Sequence, residues 1–196
     1  MTEFILPIVA YLFGSVSSAV IVSRLMRLPD PRTEGSNNPG ATNVLRLGSK
    51  TGAALTLLGD TLKGVVPVLI AHQLDVSGMA LAATGFCAFI GHLFPVFFGF
   101  QGGKGVATAL GVFLAMSLKV SAVLGAVWLL MALVFRYSSL SALTAAAVAP
   151  FATWWLEQSI WLTLMCAVIA MLLFWRHRAN IQRLLNGTES RIGKKK

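Results

Sequence analysis

Apolar residues run along this chain in long blocks rather than alternating with polar ones. The first block extends from about Phe4 to Met26, and others follow at about 52–73, 79–98, 106–118, 120–135, 139–156 and 159–175. A helix of about 20 apolar residues spans a bilayer, and only a helix or a closed barrel satisfies its backbone groups there. The blocks therefore predict an all-α, polytopic membrane protein with seven transmembrane helices, some of them short. The awkward stretch is 106–135. About 30 residues make a helix of about 45 Å, too long for one ordinary crossing and short for two. Two short or tilted helices meeting near Lys119 fit best, and a re-entrant hairpin would leave the remaining topology unchanged.

The first block could pass for a signal peptide, because Ser17-Ser18-Ala19 is a run of small residues. A signal peptide opens with a basic segment, whereas this chain opens Met-Thr-Glu and its Arg24 and Arg27 come afterwards. The block reads as a retained helix.

Composition agrees with the pattern. Of 196 residues, 56% are hydrophobic and 12% charged, half the charge usual in a soluble domain. With no internal repeat and no linker, residues 1–196 read as one integral-membrane domain. The net charge of +9 is informative through its distribution. If the N-terminus lies outside, every Lys and Arg except Lys119 falls at the cytoplasmic side, while Glu3, Asp75 and Glu157 fall at outer ends. Positive residues retained inside set the orientation: N-terminus out, C-terminus in. The basic balance then serves topology and anionic lipid, not nucleic acid. Cys87 and Cys166 sit in apolar runs as small hydrophobes, and His72, His92 and His177 are too scattered to suggest a metal site.

Three polar segments, 29–50, 99–105 and 176–193, lie at the predicted inner face. Up to Arg46 the first holds three prolines and two glycines ahead of a helix, with Ser36, Asn37, Asn38, Thr42 and Asn43 as hydrogen-bonding groups and Arg46 as a fixed cation. It is either a solvated loop with a helix cap or a ligand-binding segment. In the second, Gly102, Gly103 and Gly105 surround Lys104 just before a helix. Bare glycine backbone, a helix N-terminus and a mobile cation together suit phosphate; the alternative is a plain helix-breaking turn. It is no Walker A loop, since Phe98 stands where the first glycine belongs and Gly105 where Ser or Thr would hold magnesium. In the third, a continuing helix would put His177, Asn180 and Leu184 on one face and point Arg178 and Arg183 at lipid head groups.

Several chemistries are missing. No His is followed five positions on by Asp, as coenzyme-A-dependent acyltransferases require, and there is no Gly-x-Ser-x-Gly elbow. Asp60 is isolated on its helix, and its three-residue spacing from Lys63 predicts an ion pair. A site rich in cations and donors but poor in bases suits an anionic substrate and charge stabilisation. A transporter for a phosphorylated metabolite is the rival, although transporters usually hold substrate near the midplane between repeats.

The stretches Gly35–Arg46, Gly91–Phe100, Gln101–Thr108 and His177–Leu184 closely resemble the bacterial PlsY family, the acyl-phosphate:glycerol-3-phosphate acyltransferases. The resemblance covers essentially the whole chain. It implies a seven-helix inner-membrane enzyme of phospholipid synthesis, active at the cytoplasmic face. Such an enzyme moves a fatty acyl group from acyl-phosphate to the 1-hydroxyl of sn-glycerol 3-phosphate and uses no cofactor and no metal. It implies catalytic roles for Ser36, Arg46, Lys104, His177 and Asn180. Phosphate would be held by Arg46, Gly102, Gly103, Lys104 and Gly105, the acceptor oriented by Ser36, Asn37 and Asn43, and Glu189 would be structural. Partners are the two substrates and membrane lipid. Asn37 departs from the family's usual Gly-Ser-Gly-Asn-Pro-Gly, which has glycine at that place. The proton of the attacking hydroxyl goes either to a substrate phosphate oxygen or to His177.

Overall fold

The computed structural model describes residues 1–193, and among them the chain is helix and connecting turn. The helices are α1 (Thr2–Gly14), α2 (Ser18–Leu25), α3 (Ala41–Arg46), α4 (Lys50–Gln73), α5 (Gly78–Leu93), α6 (Val106–Met116), α7 (Leu118–Phe135), α8 (Ser138–Glu157), α9 (Ile160–Arg176) and α10 (Arg178–Leu185). Five stretches are long and apolar enough to cross a membrane, and six if α9 and α10, bent by 61°, count as one span. Helix α6 is apolar but only 11 residues long. The 106–135 run is indeed two helices, broken at Ser117, whose hydroxyl accepts from the Val120 N–H and caps α7.

The chain forms two compact units, 1–116 and 117 onward. In the first, α1 packs on α5 and α4 on α6, α5 and α3. Backbones touch at glycines. A Cβ on Gly14 would strike the Ala88 carbonyl, and one on Gly91 the Tyr11 carbonyl. Likewise Gly64 meets Thr108 O and Gly111 meets Thr61 O. Small residues allow such approach where lipid supplies no hydrophobic drive between helices. Gly14 and Ser18, the latter against Gly59, are therefore packing residues.

The first apolar block is not one helix. It breaks at Ser15–Ser17, where Val16 O is bound instead by Lys63 Nζ of α4 at 3.0 Å. An interrupted helix leaves carbonyls that must find another donor, and a buried lysine supplies it.

In the second unit α7, α8 and α9 pack in sequence, with α10 against α8 and α9. Helix α7 buries only Val120, Ser121 and Leu124, and its outer face of Leu129, Leu130, Leu133 and Val134 is exposed, as befits a helix facing lipid.

Candidate active site

The loop before α3 is organised by one side chain. Asn43, in the first turn of α3, is 1% exposed. Its Nδ2 donates to Pro31 O and Glu34 O, both at 2.9 Å, and its Oδ1 accepts from the Ser36 N–H at 2.9 Å. Both amide donors are thus turned on the loop, so Asn43 fixes the loop that carries Ser36. Gly35 has φ +67°, and a Cβ there would strike Asn43 Oδ1. Asn37 has φ +53°, a left-handed conformation that glycine adopts freely and asparagine tolerates better than other residues. That accounts for Asn where the family has Gly. Arg32 holds Asp30 at 2.6 Å, and its hydrogen bond outweighs burial to keep the Asp30 carboxyl below the usual range. Ser36, Asn37 and Arg46, the last residue of α3, are exposed.

After α5 the chain makes a short turn at Val96–Phe98, passes through left-handed Gly99 and Phe100, and doubles back on the end of α5. The Gly103 N–H donates to His92 O at 3.2 Å. A Cβ on Gly102 would strike the carbonyls of His92 and Leu93, and one on Gly105 the Phe89 ring. One on Gly103 would strike the His92 imidazole and come within 2.7 Å of Pro39 O. Close packing gives these glycines a reason of their own, beside the one expected of them. Their bare faces are filled by the protein itself, and the Gly103 amide is used on His92. What the close packing achieves is placement: half-buried Lys104 is held just ahead of α6, whose first N–H groups have no helical partner.

Pro39 belongs to the first polar segment and Gly103 to the second, so these two segments meet. Behind them lies a group the sequence did not single out as a site. Asp60, Lys63 and His92 are 3%, 4% and 6% exposed. Lys63 Nζ lies 2.9 Å from Asp60 Oδ1, the expected pair, and His92 Nδ1 is 3.6 Å from the same oxygen. No spacing rule announces His92, because its neighbours come from α4 and from the loop. Among the described residues no three of His, Cys, Asp or Glu converge as metal ligands would.

The third polar segment lies in the second unit. The helix does not continue as expected; it turns by 61° at His177, the residue that precedes α10. His177 is 3% exposed, and its Nδ1 is 2.8 Å from Leu173 O. A carbonyl only accepts, so Nδ1 carries the proton and Nε2 is the basic nitrogen of the neutral ring. Asn180 donates to Glu189 Oε1 at 2.6 Å, as Ser139 does at 2.8 Å, while Arg183 pairs with Glu189 Oε2 at 2.6 Å. Arg183 is thus tied to Glu189 rather than pointing at head groups. Burial pushes the Glu189 carboxyl up, but these three donors outweigh it and hold it below the usual range.

The all-helical architecture with several spans defines a multi-pass integral membrane protein. Comparison with known proteins makes this specific. The family model described as glycerol-3-phosphate acyltransferase matches residues 4–187, and the chain belongs to that family. It is similar to the glycerol-3-phosphate acyltransferase of Methylococcus capsulatus, 57% identical over 99% of this chain and 98% of that one. The enzyme of Thioalkalivibrio sulfidiphilus is 56% identical over 95% and 92%. Crystal structures of PlsY (YgiH), an integral membrane glycerol 3-phosphate acyltransferase, superpose with TM-scores of 0.93 for the glycerol 3-phosphate form and 0.91 for the lysophosphatidic acid form. They are 42% and 41% identical, and each comparison covers 98% of this chain and 96% of that one.

Proposed function

We propose that this protein transfers a fatty acyl group from acyl-phosphate to the 1-hydroxyl of sn-glycerol 3-phosphate, releasing lysophosphatidic acid and inorganic phosphate. The reaction is the first acylation of bacterial phospholipid synthesis, at the cytoplasmic face of the inner membrane. Seven crossings, with α6 as a short one, and an outer N-terminus complete the reading. The single observation that carries it is the meeting of Pro39 and Gly103, which joins the serine–arginine segment to the glycine–lysine loop. The acceptor and product are supported by the relatives solved in glycerol 3-phosphate and lysophosphatidic acid forms.

Acyl-phosphate is a mixed anhydride with a good leaving group, so no covalent enzyme nucleophile is needed. Lys104, Arg46 and the N–H groups at the start of α6 hold phosphate and offset the charge on the departing one. Gly102, Gly103 and Gly105 set where Lys104 and those amides stand. Ser36, placed by Asn43 and by the left-handed turn at Asn37, orients the acceptor, as do His177 and Asn180, the latter held by Glu189. The acceptor hydroxyl oxygen bonds to the acyl carbon, the carbon–oxygen bond to phosphate breaks, and the hydroxyl proton passes to a substrate phosphate oxygen. His177 Nε2 is the competing proton acceptor, and its tautomer keeps that version open.

Purified protein in lipid or detergent, given acyl-phosphate and radiolabelled glycerol 3-phosphate, should form labelled lysophosphatidic acid. No product there, with uptake of glycerol 3-phosphate into sealed vesicles, would replace this reading with transport. If Ser36 were an acylated nucleophile, labelled acyl chain would stay on the protein when acceptor is omitted.

A further inference from the structure

Three ionisable side chains buried among membrane helices need a reason. An ion pair inside a protein is poor evidence of stabilisation, because well-packed apolar residues usually serve as well or better. Ionisable groups kept within membrane helices usually belong to functional machinery. Here they form a continuous polar path. It starts at Val16 O, the carbonyl exposed by the break between α1 and α2, and runs to Lys63 Nζ at 3.0 Å. Lys63 holds Asp60 at 2.9 Å, and the same Asp60 oxygen faces His92 Nδ1 at 3.6 Å. His92 then meets the glycine loop twice. Its carbonyl accepts the Gly103 N–H, and its Nε2 fills the place a Gly103 side chain would take. Lys104 is the next residue.

We infer that Asp60, Lys63 and His92 are positioning residues for the Gly102–Gly105 loop, fixing where Lys104 stands by bracing His92 against Gly103. The inference rests on the phosphate-holding role proposed for Lys104. An imidazole in an apolar slot could rotate about its side-chain bonds. Here the ring stands between Asp60 Oδ1, 3.6 Å from Nδ1, and Gly103, against which Nε2 is packed. Lys63 in turn keeps Asp60 in place while closing the gap in the first helix. None of the three need touch substrate.

The test uses full-length protein in detergent with acyl-phosphate and glycerol 3-phosphate, recording kcat, KM for acyl-phosphate and the thermal midpoint. The double variant Asp60→Asn/Lys63→Gln removes both charges together while keeping an amide donor near the place of Lys63 Nζ, which serves Val16 O. It should unfold within about 3 °C of wild type, with KM raised about fivefold or more and kcat lowered as well, because Lys104 also offsets the charge on the departing phosphate. His92→Asn keeps a donor near the place of Nδ1, and its KM should lie closer to wild type than that of His92→Leu. Wild-type KM in the folded double variant, or equal KM in the two His92 variants, would overturn the inference. Should the double variant unfold, the His92 pair decides alone. Lys104→Ala is run beside them. An unchanged KM there removes the phosphate-holding role itself, and the inference with it. A raised KM there beside wild-type values in the other variants removes the bracing alone.

Discussion

Asn43 controls Ser36 without touching its hydroxyl, by accepting the Ser36 backbone N–H at 2.9 Å while its own amide donates to Pro31 O and Glu34 O. Asn43→Asp keeps the shape and loses both donations. A lost buried hydrogen bond costs about 1–3 kcal/mol. The variant should melt earlier and lose about tenfold or more in kcat/KM, read by thermal unfolding and by product formation. Full activity in Asn43→Asp would mean that the loop is held by something else.

Position 37 separates backbone from side chain. Since Asn37 lies at φ +53°, Asn37→Gly should keep activity and stability close to wild type. Asn37→Val should cost about 1–2 kcal/mol, the penalty of a left-handed branched residue. Comparing the two melting curves decides whether the amide or the backbone angle matters.

Gly103→Ala places a methyl group against the His92 imidazole and Pro39 O. A displacement of about 1 Å at a positioned group can cost about a hundredfold in rate, so kcat/KM should fall by about 10- to 100-fold. Gly125→Ala is the matched control, in α7 with open space where the methyl would go, and should remain as active as wild type.

Glu189 carries a pH dependence with a definite sign. Its carboxyl is held below the ordinary glutamate range in the folded protein. Its contribution to stability is therefore complete above the unfolded value and disappears as pH falls through the lowered folded one. Thermal midpoints of wild type should drop as acid protonates it. Glu189→Gln should start lower at neutral pH and lose less on the same descent. Parallel curves for the two proteins would contradict this.

Much of this architecture was legible because membrane helices must be apolar along their length. The seven blocks correspond to real helical segments, and the Asp60–Lys63 pair follows from three-residue spacing. What escaped is what depends on distant partners. The break at Ser15–Ser17 falls in a run of small residues that gives no hint of its completion by Lys63, 47 positions away. The bend at His177 gives no sign in a helix-compatible stretch. His92 gains its meaning from Asp60 and Gly103, and Ser139 from Glu189, fifty residues on. The glycine loop was recognisable, but the protein that fills its bare faces was not.

The contact of α4 with α6 has a consequence for mutational tolerance. Gly64 lies on Thr108 O and Gly111 on Thr61 O, so these helices meet with no room for a single methyl group. Helix α6 cannot slide along α4 to absorb a change, and any displacement travels to its first turn, beside Lys104. In a saturation scan scored by growth, Gly64 and Gly111 would rank with Lys104 among intolerant positions. Ranked by phenotype alone they would pass for catalytic residues, although they lie between helices and their effect is purely one of clearance.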